Sequence, residues 1–269
     1  MIRKPVVAGQ FYPAEKSDLI KQIEQFIDKN AKKIDAKGAI MPHAAYEFSG
    51  FVAGQTVSKI SSKDTYIMLG PNHRGYGEPF SIMTEGSWQT PLGEVKIDSD
   101  LAKEILKQSN FLKEDSIAHL YEHSIEVELP FLQYFNKDFS IVPITVFPAE
   151  IKIFKEIAAS IAKAIEQKQK KEKVTIIASS DMTHYESQKK AEAKDKQAIS
   201  AVLELDDDKL FKTVKDQNIS MCGYAPAVIM LVAAKLLGAK KAKLIKYQTS
   251  GDASGDYSSV VGYAGVIIN

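Results

Sequence analysis

Three apolar runs in this chain end in a histidine, and that repeated ending narrows the folds open to it. Thr65-Tyr66-Ile67-Met68-Leu69 breaks at Gly70-Pro71 and delivers Asn72, His73 and Arg74 into a Gly-rich loop. Gly38-Ala39-Ile40-Met41-Pro42 leads to His43, and the run from Val174 to Ser180 leads to Asp181, Thr183 and His184. Short apolar runs rich in β-branched and aromatic residues read as buried strands. Between them lie segments of helical period, such as Leu19, Ile20, Ile23, Phe26 and Ile27. The alternation predicts an α/β fold, a three-layer α/β/α sandwich around a central, largely parallel (mixed) sheet. Right-handed crossovers bring the carboxyl ends of parallel strands to one edge, where ligands bind in such folds. His43, His73 and the Asp181/His184 pair are therefore expected in one crevice.

A chain of 269 residues with 45% hydrophobic content is large enough for a single domain spanning 1–269. No apolar run reaches the ~18 residues of a membrane span, and the start lacks a signal-peptide core, so the expectation is a soluble, cytoplasmic protein. The formal charge of +1 makes no electrostatic case for nucleic acid or an anionic membrane. One cysteine, Cys222, excludes an internal disulfide.

Boundary signals predict helices over about 17–30, 51–60 and 99–108, the last capped by Asp98 or Ser99. Ser124 is expected to cap a helix carrying Val127, Leu129, Phe131 and Leu132, with His123 at its edge. Residues 79–98 alternate in short pieces around Trp88, which predicts a small antiparallel excursion beside the site. Further on come a strand over 139–147, a helix over 150–169 and two polar helices within 187–215. An apolar helix over 223–237 and closing strands over 243–248 and 259–268 follow, the strands joined by a flexible loop at 250–256.

Two or three imidazoles with a thiolate or carboxylate suit iron, zinc or copper. Cys222 lies just before the Pro226-led helix, where a helix N-terminus favours a thiolate; a small buried hydrophobe is the plainer reading. Asp181, three residues before His184, could orient that imidazole or cap the next turn, and His184 could move protons. His123 beside a positive helix end would stay neutral and donate to substrate; His119 is expected to be structural. Arg74 and Asn72 are the substrate-binding candidates, Arg74 because its planar fork holds carboxylates or phosphates, unless it is tied to a loop carbonyl. No G-x-S-x-G elbow, Walker loop or dinucleotide fingerprint occurs.

Six ordered motifs then carry a resemblance. Ala8-Gly9-Gln10-Phe11-Tyr12-Pro13, Met41-Pro42-His43-Ala44-Ala45-Tyr46, Leu69-Gly70-Pro71-Asn72-His73, Glu122 to Phe131, Ser179 to Tyr185 and Met221-Cys222-Gly223-Tyr224 together resemble the Memo family, end to end. The resemblance implies the fold of class III extradiol dioxygenase catalytic subunits, which hold non-haem iron(II). It places His43, His73 and Cys222 at the metal-ligand positions, His184 at the acid/base position with Asp181 beside it, and His123 facing substrate. The dioxygenases have a carboxylate where this chain has Cys222, which changes the softness and charge of the centre. The implied cofactor is iron(II), with copper or zinc as alternatives, and the implied activity is a redox reaction on an unknown small molecule or peptide. A peptide- or phospho-ligand-binding module and a zinc hydrolase are the other readings. Eukaryotic members are associated with receptor-tyrosine-kinase signalling, and microbial ones with a neighbouring radical-SAM protein.

Overall fold

The computed structural model describes residues 1–269. Its strands are β1 (Ile2–Arg3), β2 (Gly38–Met41), β3 (Thr65–Pro71), β4 (Phe80–Ile82), β5 (Ser87–Thr90), β6 (Gly93–Ile97), β7 (Lys113–Glu114), β8 (Ser140–Val146), β9 (Val174–Ser179), β10 (His184–Glu186), β11 (Ala242–Thr249) and β12 (Val260–Ile268). The longer helices are α1 (Lys16–Phe26), α2 (Tyr46–Val57) and α3 (Ser99–Gln108); then come a short turn, α4 (Ile117–Leu120), and α5 (Leu129–Phe135). After these follow α6 (Ile151–Gln167), α7 (Gln188–Leu203), α8 (Asp207–Asp216), α9 (Tyr224–Leu236) and one further turn, α10 (Gly251–Ser254).

The middle of the sheet runs β6-β8-β3-β9-β2, with every neighbouring pair parallel, and β12 then joins β2 antiparallel. Strands β3 and β9 are buried along their whole length, which explains their unbroken apolar runs: a parallel strand covered on both faces has no solvent side to mark with polar residues. Strand parity assigns the covering helices. Gly38 and Ile268 are paired and share a face, and a Cβ on Gly38 would strike Met230 of α9. Gly265 points the other way, and its Cβ would strike Thr56 of α2. Helices α9 and α2 therefore cover opposite faces, which makes the three-layer sandwich. Helix α9 is apolar all round because it lies between the sheet and a further helix, α6, whose Phe154, Ile157, Ala158, Ile161 and Ile165 form a buried stripe. One contiguous core of 71 buried residues draws on elements from both ends of the chain. No helix is long and apolar enough to cross a membrane.

Several local expectations are corrected. Helix α2 begins at Tyr46, not Phe51: its first amide donates to the Phe11 carbonyl at 2.8 Å, so a distant segment replaces the missing side-chain cap. At Gly50 the Phe26 ring packs on the helix backbone. Helix α1 stops at Phe26, short of the expected Asn30, and starts without a side-chain cap. Ser124 caps nothing; its hydroxyl points to the Pro71 carbonyl, and a 3-10 turn at Glu126–Glu128 leads into α5. Asp98 does cap α3, accepting from the Leu101 amide at 3.1 Å. Of the 79–98 excursion, β4 pairs antiparallel with the carboxyl end of β8 through Phe80 and Val146, whereas the β5/β6 hairpin joins at the amino end of β8, through Lys96 and Ser140, at the edge away from the strand carboxyl ends. Part of the 250–256 loop folds into the turn α10, closed by Gly255 at φ 75°.

Candidate metal and catalytic crevice

The carboxyl ends of β2, β3 and β9 meet the amino end of α9, and there the candidate residues gather. His43 follows β2, His73 follows β3, Asp181 and His184 follow β9, and Cys222 precedes α9. One ligand atom each from His43, His73 and Cys222 lies within 4.8 Å of the other two. His43 Nε2 is 3.4 Å from Cys222 Sγ. The His43 and His73 ring centres are 5.2 Å apart, and His123 stacks on His73 at 5.0 Å with 15° between the planes. Gly223 allows α9 to begin this close, because a Cβ there would collide with the Ser179 carbonyl and the Ser180 side chain.

Hydrogen bonds decide which ring nitrogens are free. The His73 amide and Nδ1 face the two oxygens of Glu122, at 2.7 and 3.0 Å. Burial pushes the Glu122 carboxyl up, but its bonds and charge contacts with His73, His123 and the Ser124 amide prevail and hold it down at about 2. A carboxylate only accepts, so His73 carries its proton on Nδ1 and presents the Nε2 lone pair. Ser179 Oγ donates to the Ser124 carbonyl at 2.7 Å, so it accepts from His43 Nδ1 at 2.8 Å, and His43 likewise presents Nε2. His184 Nδ1 must donate to the Ser220 carbonyl, 2.9 Å away, which leaves a third Nε2 lone pair.

The remaining candidates divide. Asp181 does not orient His184, as the spacing suggested, and caps no helix; it accepts from the His43 amide at 2.9 Å, and burial raises its carboxyl to about 6. The helix N-terminus expected to favour a Cys222 thiolate is outweighed: burial, then the Asp181 charge, push the thiol well above its usual range. His123 is held neutral by burial, which lowers it to about 4, and not by a helix end, since the next helical turn begins three residues later at Glu126. Asn72 spends its side chain inside its own loop, accepting from the Gly75 amide and donating to the Tyr76 carbonyl, both at 2.9 Å. It shapes the turn that holds His73 and offers substrate nothing further. Arg74 lies outside the crevice, in an adjoining hollow. His119 is fully buried, bonded to Ser81 and edge-on to Trp88, as befits a structural residue.

The crevice encloses about 630 Å³, with four of the histidines, Asp181 and Cys222 lining it alongside Phe11, Phe48, Tyr185 and Tyr263, and His119 apart from it. Tyr185 adopts a left-handed backbone (φ 57°) that costs a large side chain energy, and its ring is 80% exposed at this crevice.

Sequence reading missed three acids in one segment. Glu122, Glu126 and Glu128 are all fully buried. Glu128 approaches Ser179 at 3.2 Å, and burial keeps it protonated. Glu126 grips Arg3, the Val6 and Val7 amides and the Tyr12 hydroxyl, which fastens the segment carrying Phe11 at the crevice rim. Two of the acids, Glu126 and Glu128, alternate with Ile125, Val127 and Leu129, a pattern that equally suits a half-exposed segment, so no local signal marked the three as buried.

A mixed sheet sandwiched by helices, with imidazoles and a thiol converging at its strand carboxyl ends, defines an α/β sandwich protein with a histidine- and cysteine-lined crevice. The chain belongs to the Memo-like protein family, whose model matches residues 3–267. It is 42% identical to a MEMO1 family protein of Methanosarcina barkeri over 99% of this chain and 100% of the relative. A relative from Methanopyrus kandleri is 40% identical and one from Aquifex aeolicus 41%, the first covering 99% of each chain and the second 99% of this chain and 98% of its own. Among solved structures, an uncharacterized protein of Escherichia coli K12 shares the fold, with a TM-score of 0.59 and 11% identity over 86% of this chain and 98% of its own.

Proposed function

We propose that the crevice is the metal centre of a redox enzyme, with iron(II) or copper held by His43, His73 and Cys222. The observation that carries this reading is the paired, outward-facing Nε2 lone pairs of His43 and His73, each fixed by a hydrogen bond at Nδ1, converging with Cys222 Sγ. Ligating histidines are oriented in this way by carboxylates and hydroxyls behind them. A bound ion would supply Lewis acidity and electron transfer and would draw the proton from Cys222.

The chain's own residues have separable tasks. Glu122 and Ser179 keep the two rings turned toward the crevice. His184 Nε2, with its other nitrogen tied to Ser220, accepts or returns a substrate proton. Asp181 anchors the His43 loop and, near neutral pH, exchanges a proton beside Cys222. His123, neutral and stacked on His73, faces substrate. Phe11, Phe48 and Tyr263 give the crevice an apolar wall that limits water.

Metal analysis of protein purified without chelator tests the reading. The wild type is expected to carry about one equivalent of iron or copper, and His73→Ala and Cys222→Ser to lose it. Unchanged metal in both variants would overturn the assignment. Glu122→Gln is expected to weaken metal retention about 10- to 100-fold in competition with a chelator, because the His73 tautomer is no longer imposed by a charged acceptor.

A further inference from the structure

The two arginines of this chain have opposite situations. Arg3 is fully buried and its fork is spent on Glu126 and the carbonyls of His119 and Glu122. Arg74 is exposed, makes one hydrogen bond, from Nε to the Tyr121 carbonyl at 3.3 Å, and forms no ion pair. Its terminal nitrogens are free. It lines a hollow of about 540 Å³ with Gln10, Tyr76 and Tyr121, and no acidic side chain lines that hollow. Phe11 and His123, 5.0 Å apart and edge to face, line both this hollow and the crevice.

We propose that the two hollows form one groove for a small carboxylate with a flat, apolar body. The reacting end sits by His43, His73 and Cys222, the flat body passes Phe11 and His123, and the carboxylate at the far end is taken by Arg74. A single uncompensated guanidinium in a hollow without acids is complementary to an anion, and its two parallel N–H groups match the two oxygens of a carboxylate. Aromatic rings at the junction favour a flat, apolar body between the two ends. The bonds from Arg74 Nε to the Tyr121 carbonyl and from Asn72 to the loop backbone hold the loop, so the fork meets the ligand already oriented. The assignment of the reacting end rests on the metal reading above; the Arg74 site does not.

The test uses the composition of the chain. With two arginines, the full-length ¹⁵N-labelled protein has two Nε–H signals, and buried Arg3 is the internal control. 3-Phenylpropionate and its uncharged amide, 3-phenylpropanamide, are titrated to about 10 mM, enough to reveal a millimolar site, into protein as purified and after EDTA. The acid is expected to move the Arg74 signal and the ring protons of Phe11, leaving Arg3 in place. Affinity should fall about tenfold or more for the amide and for Arg74→Gln, and Arg74→Lys should retain part of it because the charge remains while the fork is lost. Equal binding of acid and amide, Phe11 shifts that survive Arg74→Gln undiminished, or a response to inorganic phosphate and none to the acid would each overturn the proposal. So would the absence of any carboxylate-dependent shift. Loss of the metal reading would show separately, in the metal content of His73→Ala and Cys222→Ser, because the Arg74 response is read with and without EDTA.

Discussion

Glu126→Ala is expected to destabilise the protein by about 3–5 kcal/mol, the usual consequence of leaving one buried charge without its partner. Arg3 and Glu126 are both fully buried, 123 residues apart in the chain. The guanidinium also lies 4.5 Å from the Trp88 ring centre, in a setting where an uncompensated positive charge has no water to reach. The same truncation strips the Val6 and Val7 amides and the Tyr12 hydroxyl of their shared acceptor. For a chain of this length the loss amounts to a drop in Tm of about 10 °C, readable by calorimetry. Arg3→Ala should match it from the other side. The effect reaches the crevice, since these bonds fasten the segment that places Phe11 against His123. A change in Tm of less than about 2 °C would mean that the pair is hydrated or remade in solution, contrary to its burial.

Acidification from pH 6.5 to 4 should weaken the fold. Burial lowers His119 to about 3 and His123 to about 4 from an ordinary 6.5. The folded state therefore binds fewer protons than the unfolded chain below pH 6.5, and stability falls as the pH drops from 6.5 toward 3. His43 is lowered by the same cause, with the neighbouring imidazoles adding to it. Glu122, held at about 2 against an ordinary 4.5, contributes stability that is present above 4.5 and lost as pH falls toward 2, so it acts in the same direction. Three buried acids oppose them: Asp181, raised to about 6, and Glu128 and Asp195, raised by burial, favour the folded state most at low pH and lose that contribution as the pH rises. The three histidines and Glu122 together outnumber the three opposing acids, and the net loss between pH 6.5 and 4 is of the order of 1–3 kcal/mol. Urea midpoints at pH 7, 5.5 and 4.5 on chelator-treated protein measure it. His119→Gln should flatten the curve, and a midpoint that holds constant or rises on acidification would contradict the assignment.

The fold was legible where neighbours along the chain decide the outcome. The runs at 38–41, 65–71 and 174–179 are so continuously apolar that only strands covered on both faces accommodate them, and in an α/β chain most such strands run parallel, antiparallel β12 being the exception here. The Asp98 cap was legible because its acceptor and donor are three residues apart. The start of α2 was not, because the group that satisfies its first amide is the carbonyl of Phe11, 35 residues away, and no local pattern encodes it. Asn72 and Arg74 illustrate the same limit at the site. They are separated by one residue, yet one turns inward to tie its loop and the other opens into a different hollow.

The histidine that closes each of three strands was thus determined by the sequence, because parallel strands with right-handed crossovers must end at a common edge. Which nitrogen each ring presents was decided by tertiary structure alone. That depends on Glu122 behind His73 and Ser179 behind His43, buried polar groups brought together from strands and loops 49 and 136 residues apart. Spacing along a chain can bring a ligand to the right edge, but a proton's position on it follows from partners that only the folded core supplies.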